Sequence, residues 1–489
     1  MPCWMTGCPL DISPETGKPE LVRFLRLLLT LLLALPCGLA AQTALRIEPS
    51  SLKQEFQGMG CGAIFYEGHI TSLAARGKND LQEKLYDAMF KDVRTDFLQL
   101  MIRHDHEPSN DNADPFSPKF DPAWFAYAKH TVAICKAARA RNPKIRFFAT
   151  LYTPPPWMKT NHDPSAGGKS RATLLPGLEN ELGEYCWAFL AFMQREGFPV
   201  EFLALANEPD WPHDQPGYCL EPDTHAALLK SVASYLDEMA RRFPSVPRVK
   251  LVGPNTLSAV TTSEKWLPLA DRVAPGALAV VGTHDYDRRG ERFVPLRKLA
   301  DGRPLWVTEW CVNGEDKSPG LINSAGQYWL AMTEAFNQGV NTWMAYDWVY
   351  PPRQGGEALI HLDWGNNYTL TKLYYGYRQW CAPLAPGMHV VASSLSGPLA
   401  SGISQPGIKA AAFLSSDGKR LVAHVANVSD EAATLTINPG SDFSSATAHR
   451  VRTSPEENAS TLADATPEEW RATTALPPRS MNTWEWTRP

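Results

Sequence analysis

The sequence predicts an α/β chain: a closed (β/α)8 TIM barrel with an all-β sandwich as a side domain. Three observations predict it. Eight short apolar runs alternate with stretches of helical periodicity, which implies a parallel sheet, and eight such units in about 290 residues suit a closed barrel better than an open sheet. Polar and charged residues collect where those runs end, as they do at the carboxyl mouth of this fold. After Pro383 the texture turns to short β-type runs separated by turn signals such as Ser416-Asp417-Gly418 and Asn438-Pro439-Gly440.

Taken in order, Arg46 to Phe56 reads as an opening strand or two. The first barrel strand, Met59 to Ile64, carries Gly58, Gly60 and Gly62, which let the backbone approach something that a side chain would obstruct. Strand-like Phe97 to Arg103 precedes helical Trp124 to Ala140, and Ile145 to Tyr152 closes on Thr153-Pro154-Pro155-Pro156-Trp157. Helical Glu181 to Glu196 leads into Phe202 to Ala206, and helical Thr224 to Phe243 into Val249 to Gly253. Leu278 to His284, Leu305 to Trp310, helical Ser324 to Gln338 and a last strand, Asn341 to Trp348, complete the set. The runs end on Arg103-His104-Asp105-His106, Tyr152 to Trp157, Asn207-Glu208, Asn255, His284-Asp285-Tyr286, Glu309-Trp310 and Asp347-Trp348. A single such ending is usually a solvated loop start, but seven on one face need another reason. The sandwich strands are read at Val390 to Ser394, Lys409 to Leu414, Arg420 to Ala426, Ala433 to Ile437, Ala446 to Arg452 and Asn482 to Thr487.

The chain has 489 residues and a formal net charge of −5, with no long run of lysine or arginine, so neither nucleic acid nor an anionic membrane surface is indicated as a partner. Arg23 to Arg26, the apolar run Leu27 to Leu35 and the small residues ending at Ala40-Ala41 form a secretory leader over residues 1–41. Its apolar part is too short to span a bilayer comfortably, and a secreted or periplasmic monomer is expected. Behind the leader stand Cys61, Cys135, Cys186, Cys219, Cys311 and Cys381, widely spaced and without a CxxC pair, so buried free thiols are expected. Sixteen tryptophans and 15 tyrosines serve core packing and also suit stacking on the apolar faces of sugar rings.

The chemistry centres on two buried-strand runs that end in a glutamate: Phe202 to Pro209, carrying Asn207-Glu208-Pro209, and Leu305 to Trp310, carrying Glu309. Two carboxylic acids at the same ends of two parallel strands are what glycosidic bond cleavage needs, one entering protonated and the other ionised. Glu309 is expected as nucleophile, kept ionised by Arg103 and by a hydrogen bond from Tyr286, with Glu208 as general acid and then base. Asn207 is expected to hold the hydroxyl beside the anomeric carbon, and a double displacement puts the carboxyl groups about 5 to 5.5 Å apart. Trp157 and Trp348, each after a strand end, are the favoured stacking residues, ahead of Trp211, Trp310, Tyr350 and Trp364; Arg288, Arg289, Arg292 and Arg353 are uronate contacts if the substrate is charged. No cofactor is called for.

These motifs resemble glycoside hydrolase family 30 of clan A, the family of glucocerebrosidase, glucuronoxylanases, β-1,6-glucanases and β-1,6-galactanases. The resemblance rests on Gly58-Met59-Gly60-Cys61-Gly62-Ala63, Thr153-Pro154-Pro155-Pro156-Trp157-Met158-Lys159-Thr160-Asn161, Asn207-Glu208-Pro209, His284-x-Tyr286, Thr308-Glu309 and Leu476-Pro477-Pro478-Arg479-Ser480. It implies a retaining β-glycosidase with Glu208 as acid/base and Glu309 as nucleophile, and residues 42–57 joining a C-terminal sandwich, 385–489, beside a barrel over 58–384. Cys61 and Ile64 depart from the first-strand motif and Phe65-Tyr66-Glu67 matches no single branch, so xylan, β-1,6-glucan and β-1,6-galactan all stay open as the β-linked oligo- or polysaccharide substrate. Two rival readings exist: a metal-dependent barrel hydrolase using His104, His106, His284 and Asp347, and a non-catalytic carbohydrate-binding barrel.

Overall fold

The computed structural model describes residues 43–488 apart from 313–319, 399, 401–406 and the side chains of 353 and 354; the leader and the Arg353 side chain therefore lie outside the described residues. Eight parallel strands close into a barrel: β2 (Gly58–Gly62), β3 (Phe97–Ile102), β4 (Arg146–Leu151), β5 (Phe202–Ala204), β6 (Lys250–Pro254), β7 (Leu278–His284), β8 (Leu305–Glu309) and β9 (Thr342–Ala345), with β9 pairing back onto β2. The helices Asn79–Phe90, Ala128–Arg141, Glu179–Arg195, Pro222–Arg242 and Asn323–Asn337 lie between strands, as their periodicity indicates. Phe97, Phe148, Phe202, Ala204, Val252, Val280, Trp306 and Met344 fill the barrel's interior, so it is a packed plug and not a channel.

β2 shows why its sequence is glycine-rich. A Cβ on Gly62 would stand 2.1 Å from the Tyr346 carbonyl oxygen, and one on Gly60 would stand 2.8 Å from the Met344 side chain. The eighth barrel strand is shorter than the run Asn341 to Trp348 suggests. Tyr346 N–H donates to the Trp310 carbonyl (3.0 Å), and the buried Asp347 carboxylate accepts from Trp348 N (2.7 Å) and Ile64 N (3.4 Å), which turns the chain outward. The continuation, β10 (Asp347–Tyr350), belongs to a separate three-stranded sheet with β11 (Ala358–Leu362) and β12 (Tyr368–Leu370).

The remaining strands form one nine-stranded ladder. They are β1 (Thr43–Glu55), β13 (His389–Ser396), β14 (Ile408–Leu414), β15 (Arg420–Asn427), β16 (Ala433–Asn438), β17 (Ala448–Thr453), β18 (Ser460–Ala465), β19 (Thr474–Leu476) and β20 (Ser480–Thr487), in the order β18-β17-β20-β15-β14-β13-β1-β16-β19. β1 joins its parts, antiparallel to β13 and parallel to β16, with register shifts after Glu48 and Leu52. Leu435, Ile437 and Leu476 from one end of the ladder share a core with Ala448, Trp484 and Trp486 from the other, so the sheet folds over itself as a sandwich. Its outer residues Ala411, Phe413, Val422 and Met481 alternate with the inner ones and pack on the barrel helices, where Trp380 stacks on His424 at 4.3 Å. All six cysteines of the described residues are buried, and none of them is bonded to another in a disulfide.

Two glycines test this packing. Gly62→Ala is expected to destabilise the protein by at least ~2 kcal/mol, because backbone cannot yield as a side chain does. Gly326→Ala, inside the helix Asn323–Asn337 with its nearest neighbour 3.7 Å from the added Cβ, is expected to stabilise by up to ~1 kcal/mol. Thermal unfolding of the two variants checks both signs.

Candidate active site

Glu208 leaves β5 on a turn of unusual backbone shape. Its φ is +45°, a left-handed value that costs a side-chain-bearing residue energy and persists only where the surroundings fix it. Asn255, itself at φ +65°, supplies the fixing: its carbonyl accepts from Glu208 N (3.0 Å), its N–H donates to the Gly282 carbonyl (2.9 Å), and its side-chain amide donates to the Ala206 carbonyl (3.0 Å). Thr308, next to Glu309, donates its hydroxyl to the Asn255 side-chain oxygen. One asparagine thus couples the segments that carry the two glutamates. On the other side, the β7–β8 register shifts between Thr283 and His284, so that His284 lies opposite Glu309. Such an irregularity re-aims a side chain at a strand end.

The result is a tight cluster. An oxygen of Glu208, an oxygen of Glu309 and a ring nitrogen of His284 all lie within 4.8 Å of one another. His284 Nδ1 is 2.7 Å from Glu208 Oε1 and 3.6 Å from Glu309 Oε1. All three groups are buried, and burial sets their proton affinities. It pushes the Glu208 carboxyl well above the ordinary carboxylate range, with the Asp210 charge adding to it, and it lowers His284 against the pull of Glu309 and Asp210. Burial also raises Glu309, to about 7, but there the nearby His284 ring and hydrogen bonds from Tyr152 and Tyr286 hold it down. Those bonds are 2.8 Å from Tyr152 Oη to Oε2 and 3.0 Å from Tyr286 Oη to Oε1. Glu309 is therefore the acid more readily ionised, and Glu208 the one more readily kept protonated.

The pair faces a cavity of about 760 Å³. Asn207 lines it with a buried side-chain oxygen that has no hydrogen-bond partner, and Trp211, 44 % exposed, forms part of its lip. Phe65, Tyr66, Tyr346 and Tyr350 supply aromatic surface, and His213, Gln215 and Pro216 form another stretch of wall. Lys159 anchors that stretch from behind. Its buried ammonium shares its three hydrogens among five acceptors, the carbonyls of Asp163 (2.8 Å), Pro164 (2.9 Å), Ser165 (2.6 Å) and Gly217 (2.6 Å) and the Thr153 hydroxyl (3.0 Å).

Of the residues expected from sequence, Asn207, Glu208, His284, Tyr286 and Glu309 come together here. Arg103 does not: it pairs with Asp105 at 3.1 Å and sits 4.0 Å over the Tyr127 ring, and the role given to it at Glu309 is taken by the Tyr152 phenol. Trp157 is turned away, donating Nε1–H to the Glu107 carbonyl (3.0 Å). Trp348 is fully buried on β10 and meets Phe90 edge-on at 5.9 Å, because the strand that carries it has left the barrel. Trp310 is also buried, whereas Tyr350 and Trp211 reach the cavity. Arg292 is buried in ion pairs with Asp285 and Glu334, Arg288 reaches Glu334 as well, and Arg289 pairs with Asp287, so none of the three lines the cavity.

The metal site of the rival reading is not assembled either. His106 stacks on Tyr185 at 3.7 Å with its Nε2 on the Tyr185 carbonyl, and Asp347 is bound to backbone amides, so His104, His106, His284 and Asp347 do not converge. Glu208, His284 and Glu309 are instead the trio gathered as closely as metal ligands among the described residues. Their facing atoms are already engaged, Nδ1 with Glu208 and both Glu309 oxygens with phenols. Tyr152, Phe65, Tyr66, His213 and Cys311 were not singled out from sequence. Tyr152 carried a usable signal, as the last residue of an apolar run on a barrel strand.

No protein-family model and no curated protein sequence matches the chain. Solved structures do. The catalytic domain of a glycoside hydrolase family 30 xylanase C from Talaromyces cellulolyticus is similar at a TM-score of 0.71 and 17% identity, over 91% of this chain and 100% of that one. A family 30 subfamily 8 xylanase from Clostridium acetobutylicum gives 0.66 and 16%, over 91% and 100%. An endo-β1,6-glucanase gives 0.66 and 16%, over 91% and 95%. The barrel and its sandwich are thus the fold of glycoside hydrolase family 30 enzymes.

Proposed function

We propose that the chain is a secreted member of glycoside hydrolase family 30 that cleaves a β-linked glycan with retention of configuration. The observation that carries this reading is the single buried cluster in which Glu208 and Glu309 approach within 4.8 Å across a sugar-sized cavity. That oxygen-to-oxygen approach suits a nucleophile and an acid on one anomeric centre and is shorter than the separation of about 6.5–9.5 Å by which inverting enzymes seat a water beside the sugar.

In this reading a Glu309 oxygen attacks the anomeric carbon while Glu208 delivers its proton to the departing glycosidic oxygen. The covalent ester that results is opened by water, from which Glu208 takes a proton. Tyr152 and Tyr286 orient Glu309 and favour its ionised form. The free side-chain oxygen of Asn207 is suited to the hydroxyl next to the anomeric carbon. Phenols, amides and the acid Glu357 line the described wall, a set suited to the hydroxyls of an uncharged sugar. Xylan, β-1,6-glucan and β-1,6-galactan are the substrates to assay first.

Glu309→Ala abolishes hydrolysis, and added azide restores turnover as a glycosyl azide of the opposite anomer; absence of rescue with any small anion counts against Glu309 as nucleophile. Glu208→Ala lowers kcat/KM by ~10²- to 10⁴-fold on glycosides with poor leaving groups and far less on activated aryl glycosides; equal losses on both would remove it as the acid. Because the nucleophile must be ionised and Glu309 sits at about 7, kcat/KM rises with pH through about 7. Tyr152→Phe removes a bond to the ionised form and moves that acid limb to higher pH, measured as the pH–rate profile.

A further inference from the structure

The described residues hold a second cluster of carboxylates that the proposed reaction does not use. Glu107, in the loop after β3 and at a φ of +53°, lies with Glu181 and Glu184, from the first turns of the helix Glu179–Arg195. The three are 2 %, 6 % and 2 % exposed. Glu107 Oε1, Glu181 Oε2 and both oxygens of Glu184 have no hydrogen-bond donor. The charged groups that act most strongly on them are all acids, Asp111 and Asp114 included. Buried polar atoms in native proteins nearly always have partners, and buried charges are paired or bound to metal. Asp111 N–H and the Asn110 side chain serve Glu107 and Glu181 at one oxygen each, and the four oxygens left with neither a donor nor a cation point to a missing cation or to retained protons.

We propose that Glu107, Asp111, Glu181 and Glu184 form a divalent-cation site, and that the ion is Ca²⁺. The donors are hard oxygens on flexible side chains, the set that calcium takes with 6–8 ligands at about 2.3–2.6 Å; nitrogen and sulfur donors, which transition metals prefer, are not offered. His106, the next residue, already uses its Nε2 on the Tyr185 carbonyl. No three of these carboxylates bring an oxygen each within 4.8 Å of one another, so the ion would draw a splayed set together. Asn110 is exposed and leaves an entry path; Asp111 is half-buried, its carboxylate accepting from Asn112 Nδ2 (2.5 Å) and Lys119 N (2.6 Å), bonds that it would share with or yield to the ion. The alternative occupant is a proton: Glu181 and Glu184 are close enough to share one, and without an ion burial and mutual repulsion raise Glu107 to about 8 and Glu184 to about 9.

The ion would tie the loop after β3 to the helix Glu179–Arg195. Through the Glu107 carbonyl, which takes the Trp157 indole hydrogen, it would also steady the loop after β4. None of the four residues lines the Glu208–Glu309 cavity, so the inference does not depend on the proposed reaction.

The test uses the full-length protein stripped with EDTA and dialysed into chelator-free buffer. Calorimetric titration with CaCl₂ is expected to show one site per chain, and CaCl₂ is expected to raise Tm by ~2 °C or more where MgCl₂ at equal concentration does less. The double variant Glu107→Gln/Glu184→Gln should lose calcium affinity at least tenfold while its ion-free Tm equals or exceeds that of the parent. No calcium-dependent heat or Tm change in the parent overturns the proposal, and so does a rise that the double variant retains. Should that variant fail to fold, carboxyl ¹³C spectra of the parent decide: calcium should abolish the glutamate titrations near pH 8–9, and their persistence in saturating CaCl₂ identifies a shared proton instead.

Discussion

Two carboxylic acids and an imidazole are buried together at the mouth of the barrel, and the architecture around them fixes one pattern of protonation. In water, two glutamates would ionise alike. Within 4.8 Å of each other and out of solvent they cannot, and small differences in surroundings decide which gives up its proton. Glu309 receives two phenol hydrogens and Glu208 receives none. Glu208 instead stands against His284, whose proton affinity burial lowers, and near Asp210, whose charge raises the Glu208 carboxyl further. The asymmetry that acid/base chemistry requires is thus built from hydrogen bonds and burial, with no arginine of the described side chains hydrogen-bonded to the nucleophile.

The scaffold accepts local strain to hold that pattern. Glu208 and Asn255 both occupy left-handed backbone conformations, and each is pinned by hydrogen bonds to a neighbouring strand. The register shift that sets His284 opposite Glu309 is a further departure from regular pairing at the same end of the barrel. At the strands' other ends the geometry is conventional: the interior is plugged by Phe97, Phe148, Phe202 and Trp306, and Arg146 pairs with Glu201 over the rings of Phe97 and Phe202. Precision at the mouth rests on this rigid base and on the folded sheet packed against the barrel's helices.

Much of this was legible in the sequence because it is periodic or terminal. Eight apolar runs, and glutamates that end two of them, identify a barrel and its mouth whatever the loops do. The glycines of β2 could be read as points of close approach, and Gly62 is one. What resisted reading was direction. Trp348 follows a strand end in sequence, but the outward turn at Tyr346 and Asp347 carries it into the core. Arg103 ends its strand as expected, yet it is drawn off by Asp105 and Tyr127. Tyr152 stands among the strand endings at the mouth, yet nothing in its sequence neighbours tells that its hydroxyl turns to Glu309. The Lys159 anchor and the Glu107 cluster depend on loops meeting, which no periodicity reports.

The account stands on Glu208 and Glu309 acting from opposite sides of one anomeric carbon with no water between them in the first step. Proton NMR of a β-glycoside during its first minutes of hydrolysis measures this directly, before mutarotation mixes the anomers. The β-anomer of the released sugar should appear first. Initial release of the α-anomer would mean a single displacement, and the roles given to Glu208 and Glu309 would then be wrong.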